Sequence, residues 1–147
     1  MKISSVFDRL GFLGTMAAAT IALAAFSTAV YADTVKLMLS GDMEVPPVTT
    51  MASGSGMVTV NPDMTVSGSI ATSGLDGTMA HIHFAAKGKN GPVIVHLAKD
   101  GEYGGWMVPP GAKLTADQYQ AYKAGELYIN VHTAANKGGE IRGQLMP

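Results

Sequence analysis

Four histidines, His81, His83, His96 and His132, are the side chains in this 147-residue chain whose types and spacing could do chemistry. Two of them lie in Thr78-Met79-Ala80-His81-Ile82-His83-Phe84. Drawn as an extended strand, that segment puts Met79, His81 and His83 on one face and Ala80, Ile82 and Phe84 on the other. Imidazoles at i and i+2 have Cα atoms roughly 7 Å apart, a separation from which both rings reach one ion. The same alternation in Tyr128-Ile129-Asn130-Val131-His132 turns Ile129 and Val131 inward and Tyr128, Asn130 and His132 outward. Glu140, Arg142 and Gln144 are the outward partners of Ile141, Gly143 and Leu145. The expectation is a polar patch on the outer face of a sheet, with His81, His83 and His132 as metal ligands. Met79, Asn130, Glu140 and Arg142 would stand around them as supporting groups. Three imidazoles without a thiolate suit copper or zinc, and catalysis would need an open fourth position.

The competing reading is structural. A strand histidine also serves as a neutral ring bonded to a backbone carbonyl, and His81 or His132 could simply pin a loop. His96 alternates against Val95 and Leu97 with nothing ligand-like near it in sequence, and reads as a surface residue. Methionine is frequent, but without a clustered run it reads as core filler rather than a soft copper site, Met79 excepted.

The elements that must hold these residues follow from the rest of the chain. Lys2 and Arg9, the apolar Leu10 to Phe26, and Val30-Tyr31-Ala32 before Asp33 read as a secretory signal peptide over residues 1–32. The uncharged run Leu10 to Val30 is also long enough to span a bilayer, so an uncleaved anchor is the alternative, and the only route to a membrane. Residues 33–147 then form one domain outside the cytoplasm, periplasmic or secreted. The absence of cysteine excludes disulfides, thiolate metal sites and thiol chemistry. A formal net charge of -1 makes nucleic acid an unsuitable partner.

Period-two runs separated by Gly, Pro, Asn and Asp predict an all-β domain. The strands fall at Thr34–Ser40, Gly56–Val60, Thr65–Ala71, Thr78–Ala85, Pro92–Ala98, Glu126–Thr133 and Glu140–Met146. Asp100 to Lys113 reads as a long Gly/Pro loop, with Trp106 as a lid over an open end or a partner anchor. Thr115-Ala116-Asp117-Gln118 fits a capping box, opening a short helix over Ala116–Ala124 that Gly125 stops. Seven strands and one connecting helix indicate a Greek-key β-sandwich or barrel. No serine-nucleophile elbow, phosphate loop or dinucleotide fingerprint occurs, and no carboxylate pair is placed by spacing.

Three stretches resemble the CHRD domain, a module named from chordin. They are Leu39-Ser40-Gly41-Asp42-Met43-Glu44-Val45-Pro46-Pro47-Val48; Ala80-His81-Ile82-His83 followed by Gly91-Pro92-Val93; and Ala124 to Thr133 leading to Gly139-Glu140-Ile141-Arg142-Gly143-Gln144-Leu145. The resemblance implies an immunoglobulin-like β-barrel with limited similarity to Cu/Zn superoxide dismutases. In that likeness His81 and His83 match the copper-binding His-x-His, His132 is a third ligand, and Arg142 is the analogue of the anion-guiding arginine. The chain lacks the cysteines and the further histidines of a two-metal dismutase, so a mononuclear copper site is what carries over. The function implied is a non-enzymatic extracytoplasmic binding or interaction module with an unidentified protein partner. A copper-dependent redox protein and a membrane-anchored accessory subunit are the alternatives.

Overall fold

A computed structural model of the protein describes residues 31–101 and 104–147. The expected leader lies outside the described residues, apart from its last two. The described chain forms β1 (Asp33–Ser40), β2 (Ser53–Val60), β3 (Val66–Ser73), β4 (Gly77–Phe84), β5 (Val93–His96), β6 (Ala98–Asp100), β7 (Gly105–Met107), the helix α1 (Ala116–Lys123), β8 (Leu127–Thr133) and β9 (Ile141–Leu145). The strands pair antiparallel in the order β5-β4-β8-β9-β1-β2-β3-β7-β6. The two ends of that order, β5 and β6, are separated in the chain by Leu97 alone. One continuous segment therefore pairs with β4 through its first half and with β7 through its second, and the sheet curls into a nearly closed barrel. Closure leaves few unpaired strand edges. Crossovers from β3 to β4 and, through α1, from β7 to β8 give the Greek-key winding. The all-β class with one connecting α-helix is as the sequence predicts.

Alternation supplies the core. Val35, Leu37 and Leu39 of β1 are buried together with Val58, Val60, Val66, Ile70, Ile82, Ile129, Val131, Ile141 and Leu145. The capping box is present: Thr115 accepts from the Gln118 amide, and the Gln118 side chain accepts from the Thr115 amide. Gly125 ends the helix at φ 72°, a left-handed position that costs glycine nothing.

Two expectations need correction. The described residues form nine strands rather than seven, because β6 and β7 lie where the chain read as the end of one strand and a Gly/Pro loop. Three-residue strands carry too little alternation to be seen. Trp106 is neither lid nor partner anchor: it lies in β7, is 4% exposed and packs in the core. Its ring approaches Gly77 of β4 so closely that a Cβ there would meet Trp106 Cζ2 at 2.9 Å. The barrel accommodates its largest side chain by omitting one opposite it.

β8 and β9 are buried along their whole length, on both faces. One face packs into the core. The other carries the polar residues singled out from sequence, and segments following β1, β4 and β8 fold over it.

Candidate metal centre

The outward patch expected from alternation is a covered site. His81, His83 and His132 are each 7% exposed, Asn130 is 2% and Arg142 1%. Alternation tells which face of a strand a residue occupies; it carries no information on whether a loop lies over that face.

Two of the rings are fixed by carbonyls. His83 Nδ1 lies 2.9 Å from the Gly91 carbonyl, and His132 Nδ1 lies 2.9 Å from the Lys137 carbonyl. A carbonyl only accepts, so each Nδ1 carries the proton and each Nε2 presents a lone pair. His81 Nδ1 is 3.0 Å from His132 Nε2 and is therefore the donor of that pair. His83 Nε2 is buried with no partner at all. The three rings offer ligand atoms that all lie within 4.8 Å of one another. For comparison, metal–nitrogen bonds near 2.0 Å place tetrahedral ligand nitrogens roughly 3.3 Å apart. An ion would replace the single proton shared by His81 and His132 and give His83 Nε2 its missing partner. Orientation of ligand rings through Nδ1–H to carbonyls is a recurrent device of metal sites.

Electrostatics favours the neutral rings that a cation requires. Burial, reinforced by the neighbouring His132, His83 and His96, pulls His81 down to about 4. Burial also lowers His83, against the opposing pull of the Gly91 carbonyl. The structure thus brings three buried histidines close enough to bind a metal ion.

A second set of residues holds the cover in place. The Tyr128 ring stacks on His83 at 4.7 Å with the planes 4° apart. The Arg142 guanidinium lies 3.4 Å from the centre of the same Tyr128 ring. Arg142 also donates to the Lys89 carbonyl at 2.8 Å and to Asn90 Oδ1 at 3.2 Å. Gln144 donates to the Ala85 and Gly125 carbonyls, both at 2.9 Å. The segment between β4 and β5, which supplies the Gly91 carbonyl to His83, is therefore fastened to β9.

The other expected residues divide. Asn130 lies among the rings, directly opposite His81 on β4. Met79 lies opposite His132 and is 50% exposed, at the rim. Glu140 is occupied elsewhere: Thr50 and Thr133 hydroxyls and the Asn136 amide donate to it, which ties the β8–β9 connection to the segment after β1. Its carboxyl is held below the usual range mainly by the Thr133 and Thr50 hydroxyls. Arg142 bonds to the cover instead of facing solvent, which is not the posture of an anion guide. His96 is exposed, as expected, but it is not isolated. It pairs with His81 across β4 and β5, with the ring centres 4.8 Å apart.

Glu44 was not among the residues singled out as site members. It follows a 3-10 turn at Gly41–Met43 and is 4% exposed, against Arg142 and Asn130. Burial raises its carboxyl, while the Arg142 charge and the Asn130 side chain hold it down. Its motif was visible in sequence, but nothing in the spacing linked it to residues almost a hundred positions away.

With this arrangement in view, the family can be given. The family model of the CHRD domain matches residues 35–145, nearly all of the described chain. The chain belongs to the CHRD family. Comparison with curated proteins and with solved structures returns no match. CHRD domains are typically extracellular, and among the described residues no helix is long and apolar enough to cross a membrane. The His-x-His of the family resemblance is the His81–His83 pair of this centre, and Glu44, Asn130 and Arg142 fall within or beside the same motifs.

Proposed function

We propose that this CHRD domain is an extracytoplasmic binding module that holds one transition-metal ion, copper first and zinc second, on His81, His83 and His132. The observation that carries the reading is the ring geometry: two Nδ1 protons are tied to carbonyls, and the Nε2 lone pairs converge with His81 Nδ1 in a buried site. All-imidazole ligation suits copper and zinc among the common ions. Binding rather than turnover is favoured because the Arg142 guanidinium is spent on the Lys89 and Asn90 acceptors and is not offered to an incoming anion. The module works in the periplasm or as a secreted protein beside an unidentified protein partner, and reaches a membrane only through an uncleaved N-terminal segment.

The test is metal content by mass spectrometry of protein exported and folded outside the cytoplasm, beside a His81→Ala/His83→Ala variant. Near one copper per chain, absent from the variant, is the expected result. A wild-type protein that remains empty after exposure to copper and then to zinc overturns the reading.

A further inference from the structure

Buried polar atoms in folded proteins nearly always have hydrogen-bond partners, so those that lack them carry information. Among the described residues three such atoms stand out: His83 Nε2, Asn130 Oδ1 and Glu44 Oε1. With the His83 proton on Nδ1, all three are acceptors. Rearranging protein hydrogen bonds within the group cannot satisfy them together, because the group lacks donors. A cation, or protons, can.

Asn130 occupies the middle of the ligand set. In the strand register it is directly opposite His81 on one side and Arg142 on the other. It lies two residues before His132 on the same face, and diagonally from His83, whose own cross-strand partner is Tyr128. Its amide orientation is dictated by the loop. Nδ2 donates to the Gly138 carbonyl at 3.3 Å. The amide nitrogen and the Glu44 carboxylate also converge over the α-carbon of Gly139, where both would collide with a Cβ. Gly139 has φ 129°, a region that side-chain-bearing residues rarely adopt. With Nδ2 donating to the Gly138 carbonyl and lying beside the Glu44 carboxylate on the loop side, Oδ1 is the atom left for the rings, and the Asn130 side chain lies close enough to His83 to act on it.

We propose that Asn130 Oδ1 is a fourth ligand of the centre, completing a set of three imidazole nitrogens and one amide oxygen, with Glu44 as the positioning residue that fixes the amide. This rests on the reading that His81, His83 and His132 hold a metal. It adds a statement about the ion. An oxygen donor favours a divalent ion, Cu(II) or Zn(II), over Cu(I), which seeks thiolate and thioether sulfur. It also makes the centre a closed four-coordinate holding site, without the open position that a catalytic site keeps.

Cobalt(II) is the probe, because its visible d–d bands report coordination number and donor type, and competition with a chelating indicator gives affinity. The wild-type full chain should take up one Co(II) with intense four-coordinate bands. Asn130→Ala should bind about 10- to 100-fold more weakly, with altered bands. The exchange variant Glu44→Gln/Asn130→Asp keeps one amide and one carboxylate in contact but puts the stronger oxygen donor on β8. It should bind at least as tightly as wild type and shift the bands. Circular dichroism establishes that each variant is folded. A folded Asn130→Ala or exchange variant with wild-type affinity and an unchanged spectrum overturns the fourth ligand and leaves the three-histidine centre standing. A wild-type chain that binds neither Co(II), Cu(II) nor Zn(II) overturns both.

Discussion

Arg142 fastens the cover of the candidate metal centre, and Arg142→Met measures how strongly it holds. The residue is 1% exposed, so the substitution exchanges a buried cation for a thioether of comparable length. It removes charge-assisted hydrogen bonds to the Lys89 carbonyl and Asn90 Oδ1, each worth about 1.5–3 kcal/mol. It also removes the cation lying 3.4 Å from the centre of the Tyr128 ring, worth about 1–2 kcal/mol when desolvated. Burying the methionine recovers part of this, but Glu44 loses its countercharge, and breaking a buried charge pair typically costs about 3–5 kcal/mol. The expected loss is therefore about 3–5 kcal/mol, or roughly 10–20 °C in Tm for a domain of this size. Chemical denaturation of the metal-free protein gives the number directly. In Glu44→Gln the carboxylate is already neutral, so the double variant should lose less than the two single losses added, with a coupling of about 0.5–3 kcal/mol. Metal affinity should fall about 10- to 100-fold in Arg142→Met, because Lys89 and Asn90 precede the Gly91 carbonyl that orients His83. A stability loss below about 1 kcal/mol, or full additivity with Glu44→Gln, would refute the assignment of Arg142 as the fastening of this loop.

Further outcomes are expected. His81 titrates near 6.5 when unfolded and is depressed to about 4 when folded, so between those values the unfolded chain binds the extra proton. Its contribution to stability is present above about pH 6.5 and is lost as the pH falls toward 4, and metal-loaded protein should lose stability more steeply over that window; thermal melts with and without copper check both. Gly139→Ala places a methyl group against the Glu44 carboxylate and the Asn130 amide at a φ of 129°, and should lower both Tm and metal affinity, measured by melts and indicator competition. Trp106→Ala should cost about 3–5 kcal/mol by denaturant titration while leaving metal stoichiometry unchanged, since Trp106 fills the core on the opposite face of the barrel wall from the histidines. Thr115→Ala should cost about 1 kcal/mol, by the same titration, through loss of the N-cap bond to Gln118.

Local physics made much of this protein legible in its sequence. The alternation in β4, β8 and β9 assigned Ile82, Ile129, Val131, Ile141 and Leu145 to the core, because a strand has period two and one face must be buried. Thr115 and Gln118 marked the helix start because their bonds are made within one turn. His81 and His83 stood out together because two residues along a strand keep side chains on one face. The same period put Asn130 beside His132 and Arg142 beside Gln144.

What the tertiary structure alone decided is how those faces meet and what covers them. The register of β4 on β8 brings His132 to His81, and no rule of spacing predicts which of several strands will be neighbours at a sequence separation of 51. The same register places Asn130 directly opposite His81, beside the three histidines, and the pairing of β5 on the other edge of β4 sets His96 against His81. The covering segments turn an expected open patch into a buried site, and burial is what disfavours the charged forms of His81 and His83 and leaves His83 Nε2, Asn130 Oδ1 and Glu44 Oε1 as acceptors without donors. Sequence carries the period of a strand because that period is set by neighbouring residues. Long-range pairing and desolvation are properties of the folded chain, and they are what make these histidines a candidate metal centre.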